Sequence, residues 1–276
     1  LKKYKLNQIL TFFALWFTLM GGASAQFDHS HAQWTALLKK HLVLVDGGKA
    51  SQLRYAGIAA DRAQLKTYLD TLAKVSEAEF KAFNKNQQLA FLINAYNANM
   101  VEKILVRYPN IKSVWDFGKL IGNPFRDNFI SLLGKKMSLD NVEHDTIRAP
   151  GAYDDPRIHF AVNCASIGCP MLREEAYVGD RIDAQLEEQT VRFMSDRSRN
   201  RAAADGKLEV SKIFDSRPWY GDDFRKGHKG LKTLESFFAK YANLLTDNAE
   251  HQKLIREGKA PISHLEYDWG LNDSKR

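Results

Sequence analysis

Leu89-Ala90-Phe91-Leu92-Ile93-Asn94-Ala95-Tyr96-Asn97-Ala98-Asn99 is apolar nearly all the way round a helix, which predicts a packed helix at the centre of the fold. The helical pattern runs from Gln87 to Arg107 and stops at Pro109-Asn110. Within it Asn94 and Asn97 lie three apart on one face, with Gln87 seven residues before Asn94. Asn is a mediocre helix former, costing about half a kcal/mol against Ala, and a buried amide costs more unless it is hydrogen-bonded. The two amides therefore either tie the helix to neighbouring loops or line a cleft and orient a catalytic group or a ligand.

On the N-terminal side, Trp34, Leu37, Leu38 and Leu42 recur at helical spacing, as do Leu65, Tyr68, Leu69 and Leu72. Ser76-Glu77-Ala78-Glu79 has the form of a capping box for a helix carrying Phe80 and Phe83. On the C-terminal side the character changes. Phe129-Ile130 and Leu132-Leu133 read as short strands, and Ser138 as the cap of a helix from Leu139 to Arg148. After Asp154-Asp155-Pro156, the residues Ile158, Phe160 and Val162 alternate with Arg157, His159 and Ala161, the pattern of a strand with one face in the core. Ile182, Leu186, Phe193 and Met194 mark another helix, Leu208-Glu209-Val210 with Ile213-Phe214 a strand, and Leu231, Leu234, Phe237 and Phe238 a last helix. Helices around a few short strands predict the α+β class: a mostly helical single domain around a small, mainly antiparallel sheet.

The first 25 residues read as a secretory signal. Lys2, Lys3 and Lys5 precede an apolar run from Ile9 to Met20, and Ala23 and Ala25 suit a cleavage site before Gln26. The run is too short for a membrane span, which needs about 20 residues. The expected mature chain, residues 26–276, is a single globular domain, periplasmic or secreted, with no membrane span after cleavage. Of the 276 residues, 40 are Lys or Arg and 33 Asp or Glu, so the net charge is +7, falling to +4 without the signal. That is no nucleic-acid footprint, which would cluster Lys and Arg with exposed aromatics.

The residues that could carry chemistry gather in the middle. Asp140, His144 and Arg148 fall at i, i+4 and i+8 of the helix after Ser138, while Glu143 shares its side with Leu139 and Ile147. An acid on an apolar face calls for a cationic partner, and Arg148 or Arg157 is the natural candidate. In Arg157-Ile158-His159-Phe160-Ala161-Val162-Asn163-Cys164-Ala165-Ser166-Ile167-Gly168-Cys169-Pro170, alternation puts Arg157, His159 and Asn163 on the polar face and Cys164 on the core side, which argues against a simple His159–Cys164 dyad. Cys169-Pro170 has the form of a helix N-cap with Pro at the first position, which would lower the pKa of that thiol. Cys, His and Asn together are what a thiol-nucleophile site needs. The two cysteines could equally pair as a disulfide, which for so short a loop adds little to stability.

Leu89 to Ala98, Ser138-Leu139-Asp140-Asn141-Val142-Glu143-His144 with Arg148, Asp155 to Cys164 and the closing Tyr267-Asp268-Trp269-Gly270-Leu271-Asn272 stand in the order in which similar segments occur in the domain-of-unknown-function 547 family. Over nearly all the expected mature chain the sequence resembles that family. It departs at Leu92, where the family has Trp, a packing change that touches no polar position. The resemblance implies no settled activity, and it raises kinship with papain-like and transglutaminase-like folds as an expectation. Some members keep the first cysteine while the second is replaced, which implies that Cys164 matters more than Cys169.

The leading expectation is a thiol-dependent hydrolase or acyltransferase without cofactor. Cys164 is its nucleophile and His144 or His159 its base, oriented by Glu143 or Asn163, with Asn94, Asn97, Arg148 and Arg157 on the substrate. The second is a non-catalytic module binding a peptide, a glycan or an envelope protein, with Cys164 and Cys169 oxidised. A thiol–disulfide partner ranks third, because the spacing departs from Cys-x-x-Cys. A metal site of His144, His159, Cys164 and Cys169 ranks last, because the spacing is wide for zinc and an exported protein meets an oxidising medium.

Overall fold

The computed structural model describes residues 26–118 and 122–274; the expected signal segment lies outside the described residues. Helix α1 (Ala32–His41) leads into a hairpin of β1 (Leu42–Val45) and β2 (Ala50–Leu53), then α2 (Tyr55–Ala60), α3 (Arg62–Lys74) and α4 (Glu77–Ala82). The long helix α5 (Lys85–Leu105) follows, then a second hairpin, β3 (Ile130–Leu132) and β4 (Lys135–Met137), and after irregular chain the helix α6 (Ile182–Ser195). The remainder holds β5 (Arg201–Ala202), β6 (Leu208–Val210), α7 (Leu234–Lys240), α8 (Ala242–Leu245), α9 (Ala249–Arg256) and β7 (Ile262–His264). This is an α+β fold, rich in helix, with its strands in three small groups rather than one sheet: the two hairpins and a mixed sheet ordered β5-β6-β7. Three of the four strand pairings among the described residues are antiparallel; β6 and β7 run parallel.

Helix α5 is the centrepiece that its sequence predicts. Every residue from Leu89 to Val101 is buried. Its start is fixed by a reciprocal cap. The Asn84 side chain accepts from the Gln87 N–H at 2.9 Å, and Gln87 Oε1 accepts from the Asn84 N–H at 3.0 Å. Gln87 is thus a capping residue, not the end of a polar stripe. At Ser76 only half of the predicted box forms, the hydroxyl accepting from the Glu79 N–H.

The core falls into two apolar clusters. The larger surrounds α5 and takes in α1, α3, the hairpins and Leu172 to Leu186; the smaller is built from Phe193, Phe214, Phe224, Phe237, Phe238 and their neighbours. The segment after Asp155 is the seam between them: Ile158, Ala161 and Val162 pack in the larger cluster and Phe160 in the smaller.

That seam corrects a prediction. Residues Pro156–Phe160 form a 3-10 turn, not a strand. The Asp155 carboxylate caps it by accepting from the Arg157 N–H at 3.0 Å, and Pro156 occupies its first position, where a missing N–H costs nothing. Packing from both clusters buries Arg157 to Asn163 on every side, so alternation marks no face there. Two further expectations give way. Asn141–Ile147 winds as a π-helix, its wider turn seen in the bond from the Arg148 N–H to the Glu143 carbonyl. No helix begins at Pro170, so Cys169 has no helix end to feel.

Candidate functional site

Residues 163–170 form a closed loop, and the amide of Asn163 closes it. Its Oδ1 accepts from the Ala165 N–H at 2.9 Å and its Nδ2 donates to the Pro170 carbonyl at 2.8 Å. Cys164 and Cys169 thereby stand at the two feet of the loop, both as free thiols, their sulfurs 3.0 Å apart. Ala165, between them, is held at a φ of 62°, a left-handed conformation that a side chain rarely adopts. The terminal segment holds it there: the Ile167 N–H bonds the Gly270 carbonyl, the Gly168 N–H the Asp268 carbonyl, and the Asn272 N–H the Ala165 carbonyl, at 2.8–3.1 Å. Gly168 is tight against that segment, since a Cβ there would lie 2.9 Å from the Asp268 nitrogen.

The same segment delivers Tyr267. Its hydroxyl lies 3.1 Å from the Cys164 sulfur and 2.9 Å from the Ser166 hydroxyl, which is itself 3.0 Å from that sulfur. Burial alone would push the Cys164 thiol up; hydrogen bonds from Cys169, Ser166 and Tyr267 outweigh it and lower its pKa to about 7. Cys169 moves the other way, raised by burial and by the bond and charge of its neighbour. The two thiols are unequal: Cys164 is the one that ionises.

Across the cavity from this loop stands a second polar group. His159 is buried against the Tyr220 ring, centroids 4.0 Å apart, and its Nε2 lies 2.8 Å from Asp223 Oδ2. Asp223 is itself buried, yet bonds from His159, Arg148 and Lys226 hold its carboxyl well below the usual range, so it is the acceptor and Nε2 carries the proton. Burial lowers the His159 pKa, so the ring is neutral near pH 7 and Nδ1 is left as an acceptor. Nδ1 lies 3.8 Å from Glu143 Oε1, and neither atom has a hydrogen-bond partner among the described residues. A group that enters between two acceptors has to donate to both. A primary amine, a carboxamide NH2 or a water fits.

Both groups line one cavity of about 320 Å3, together with Asp140 and His144 and walled by Tyr96, Trp115, Phe125, Trp219, Tyr220 and Trp269. A wider, more open cleft of about 1140 Å3, beside Lys39, Asn84 and Arg181, contains neither cysteine.

The structure brings together Cys164, His144, His159 and Glu143, but not as a hydrogen-bonded dyad: neither histidine bonds to the thiol. His144 Nδ1 instead accepts from Arg148 at 2.7 Å, and Arg148 Nε donates to Asp223 at 2.6 Å. Arg148 is therefore a strut between the two histidines' surroundings, not a residue facing the cavity. Glu143 approaches His159 rather than forming the ion pair expected with Arg148 or Arg157. Arg157 is turned away altogether, paired with Asp155, Asp183 and Glu187. Asn163 braces the loop and orients no histidine. Asn94 holds both the carbonyl and the N–H of Tyr177, at 2.7 and 3.0 Å. Asn97 likewise holds the Ala161 carbonyl and the Asn163 N–H, at 2.9 and 2.8 Å. Neither amide lines the cavity, and both do the bland work of tying α5 to loops.

Sequence reasoning missed Asp223, Tyr220 and Ser166 as site residues, and Tyr267 appeared only as a motif letter. Nothing in Trp219-Tyr220-Gly221-Asp222-Asp223 marks one acid above its neighbour; only the packing of Phe224 beside Phe160 brings Asp223 to His159. Among the described residues no group of three or more His, Cys, Asp and Glu is arranged to hold a metal ion, and no helix is long and apolar enough to cross a membrane.

The family described as Protein of unknown function, DUF547, matches residues 80–194. The matched stretch includes α5, Glu143, His159 and both cysteines, while Tyr220, Asp223 and Tyr267 lie beyond it. No curated protein matches the chain, and no solved structure matches it.

Proposed function

With residues 80–194 matching a family of unknown function as the starting point, we propose that the chain is a thiol-dependent acyl-transfer or hydrolytic enzyme. The observation that carries the reading is the Cys164 sulfur, ringed by three donors in the wall of an aromatic-lined cavity. A thiolate available near neutral pH needs no histidine to make it, which fits the absence of a dyad. Cys164 attacks the acyl carbon of a donor and expels its leaving group, forming a thioester. An acyl acceptor, amine or water, then lies between Glu143 Oε1 and His159 Nδ1 and gives its proton to Nδ1 as it attacks the thioester. Asp223 fixes the tautomer and stabilises the charged ring. The sulfur departs as thiolate into the bonds that held it before. We further propose that the protein works outside the cytoplasm, on the strength of Lys2, Lys3, Lys5 and the run before Ala25, with acylated peptides, glycans or envelope proteins as donors.

4-Nitrophenyl acetate tests this. The wild-type protein should release a burst of one equivalent of nitrophenolate and carry a hydroxylamine-labile acetyl group, and Cys164→Ser should show neither. Glu143→Gln should keep the burst and slow the following turnover by about 100-fold, because Glu143 holds the attacking amine or water in place. A wild-type protein with no burst and no acetyl group would end the acyl-transfer reading.

A further inference from the structure

We infer that Cys164 and Cys169 are a working dithiol that reduces small disulfides by exchange, with Cys164 as the attacking sulfur and Cys169 as the resolving one. The loop is already shaped for the product. Asn163 clamps both of its ends, and the two sulfurs need to approach by only about 1 Å to reach a bond of about 2.05 Å. Their environments differ as the two roles demand. Cys164 is partly exposed and Cys169 buried, though both border the cavity, so a disulfide entering there meets Cys164 first. Cys169 Sγ also accepts from the Cys164 N–H at 3.1 Å, which fixes it facing its partner. A thiol that ionises near ambient pH is the best attacker, and Cys164 meets that condition while its neighbour does not.

The chemistry balances. The Cys164 thiolate attacks one sulfur of R–S–S–R′; that bond breaks, R′S⁻ leaves, and a mixed disulfide Cys164–S–S–R forms. Cys169 then attacks Cys164 Sγ, its proton going to the departing RS⁻. Two electrons have passed to the substrate, which becomes two thiols, and the protein holds a Cys164–Cys169 disulfide that an external thiol reduces. This exchange shares Cys164 with the acyl-transfer reading but requires Cys169 and no acyl group, so either can fail while the other stands.

The test is stoichiometric and uses 2,2′-dipyridyl disulfide on the native, reduced protein. Wild type should release two equivalents of thiopyridone, retain no pyridyl label and give a Cys164–Cys169 peptide on mapping. Cys169→Ser should release one equivalent and keep the label on Cys164; Cys164→Ser should lose the rapid phase. The wild-type result decides even if a variant fails to fold. Wild-type protein that retains one or two labels, with no internal disulfide, overturns the proposal, whatever 4-nitrophenyl acetate has shown.

Discussion

At the scale of single residues, the reactivity of Cys164 depends on three groups that point at one sulfur. Alkylation by iodoacetamide should therefore have its half-maximal rate near pH 7, falling below that as the thiol takes up its proton. Tyr267→Phe removes one donor from the thiolate and should move the midpoint up by about one pH unit. A hydrogen bond to a charged group is worth about 1.5–3 kcal/mol, and one pH unit corresponds to about 1.4 kcal/mol. An unmoved midpoint in Tyr267→Phe would show that Ser166 and Cys169 suffice. The cysteine, both histidines and Glu143 were legible because reactive side chains stand out in any chain. Their partners were not. Asp223 and Tyr267 meet His159 and Cys164 across 64 and 103 residues of chain, and no local pattern records that.

At the scale of elements, α5 acts through its amides as well as its apolar surface. Asn94→Ala and Asn97→Ala should each lower stability by about 2–4 kcal/mol in urea titrations, because each leaves a buried carbonyl and a buried N–H without a partner. They should differ in one respect. Asn97 holds the backbone that runs into Cys164, so Asn97→Ala should also change the pH midpoint of thiol labelling, whereas Asn94→Ala, acting on Tyr177, should leave it in place. Long regular elements such as α5 and α6 could be read because their burial is one-sided or complete over many turns. The 3-10 turn at Pro156–Phe160 could not be read from alternation, although Asp155-Pro156 is a cap followed by a first-turn proline. The β1–β2 hairpin has a comparable local signal in Asp46-Gly47-Gly48, with Asp46 and both glycines at positive φ. In each case turn chemistry outranks hydrophobic period in setting the local backbone.

At the scale of the whole molecule, folding leaves His29, His31, His159 and His228 where protons are unwelcome. Burial lowers His31 to about 4 and lowers His159 as well. The unfolded chain takes up protons near 6.5 that the folded one refuses. The histidines' contribution to stability is therefore full above pH 6.5 and is lost as pH falls toward 4. For His31 the loss amounts to about 3 kcal/mol at about 1.4 kcal/mol per pH unit. His31→Asn, which suits the left-handed conformation there (φ 48°), should flatten that limb by a similar amount in unfolding measured at pH 7.5 and 4.5. Equal acid sensitivity in the variant would remove His31 from the account.

The return of the terminal segment to the cysteine loop has a consequence in time. While the chain is being made, Cys164 exists for more than 100 residues without Tyr267 and without the backbone ladder to residues 268–272. During that interval only the neighbours close in sequence, Ser166 and Cys169, can reach the sulfur. When residues 267–272 close over the loop, the sulfur gains its third donor. The full set of donors around Cys164 is thus assembled only after the chain has been made as far as Tyr267, and the site forms with the fold rather than before it.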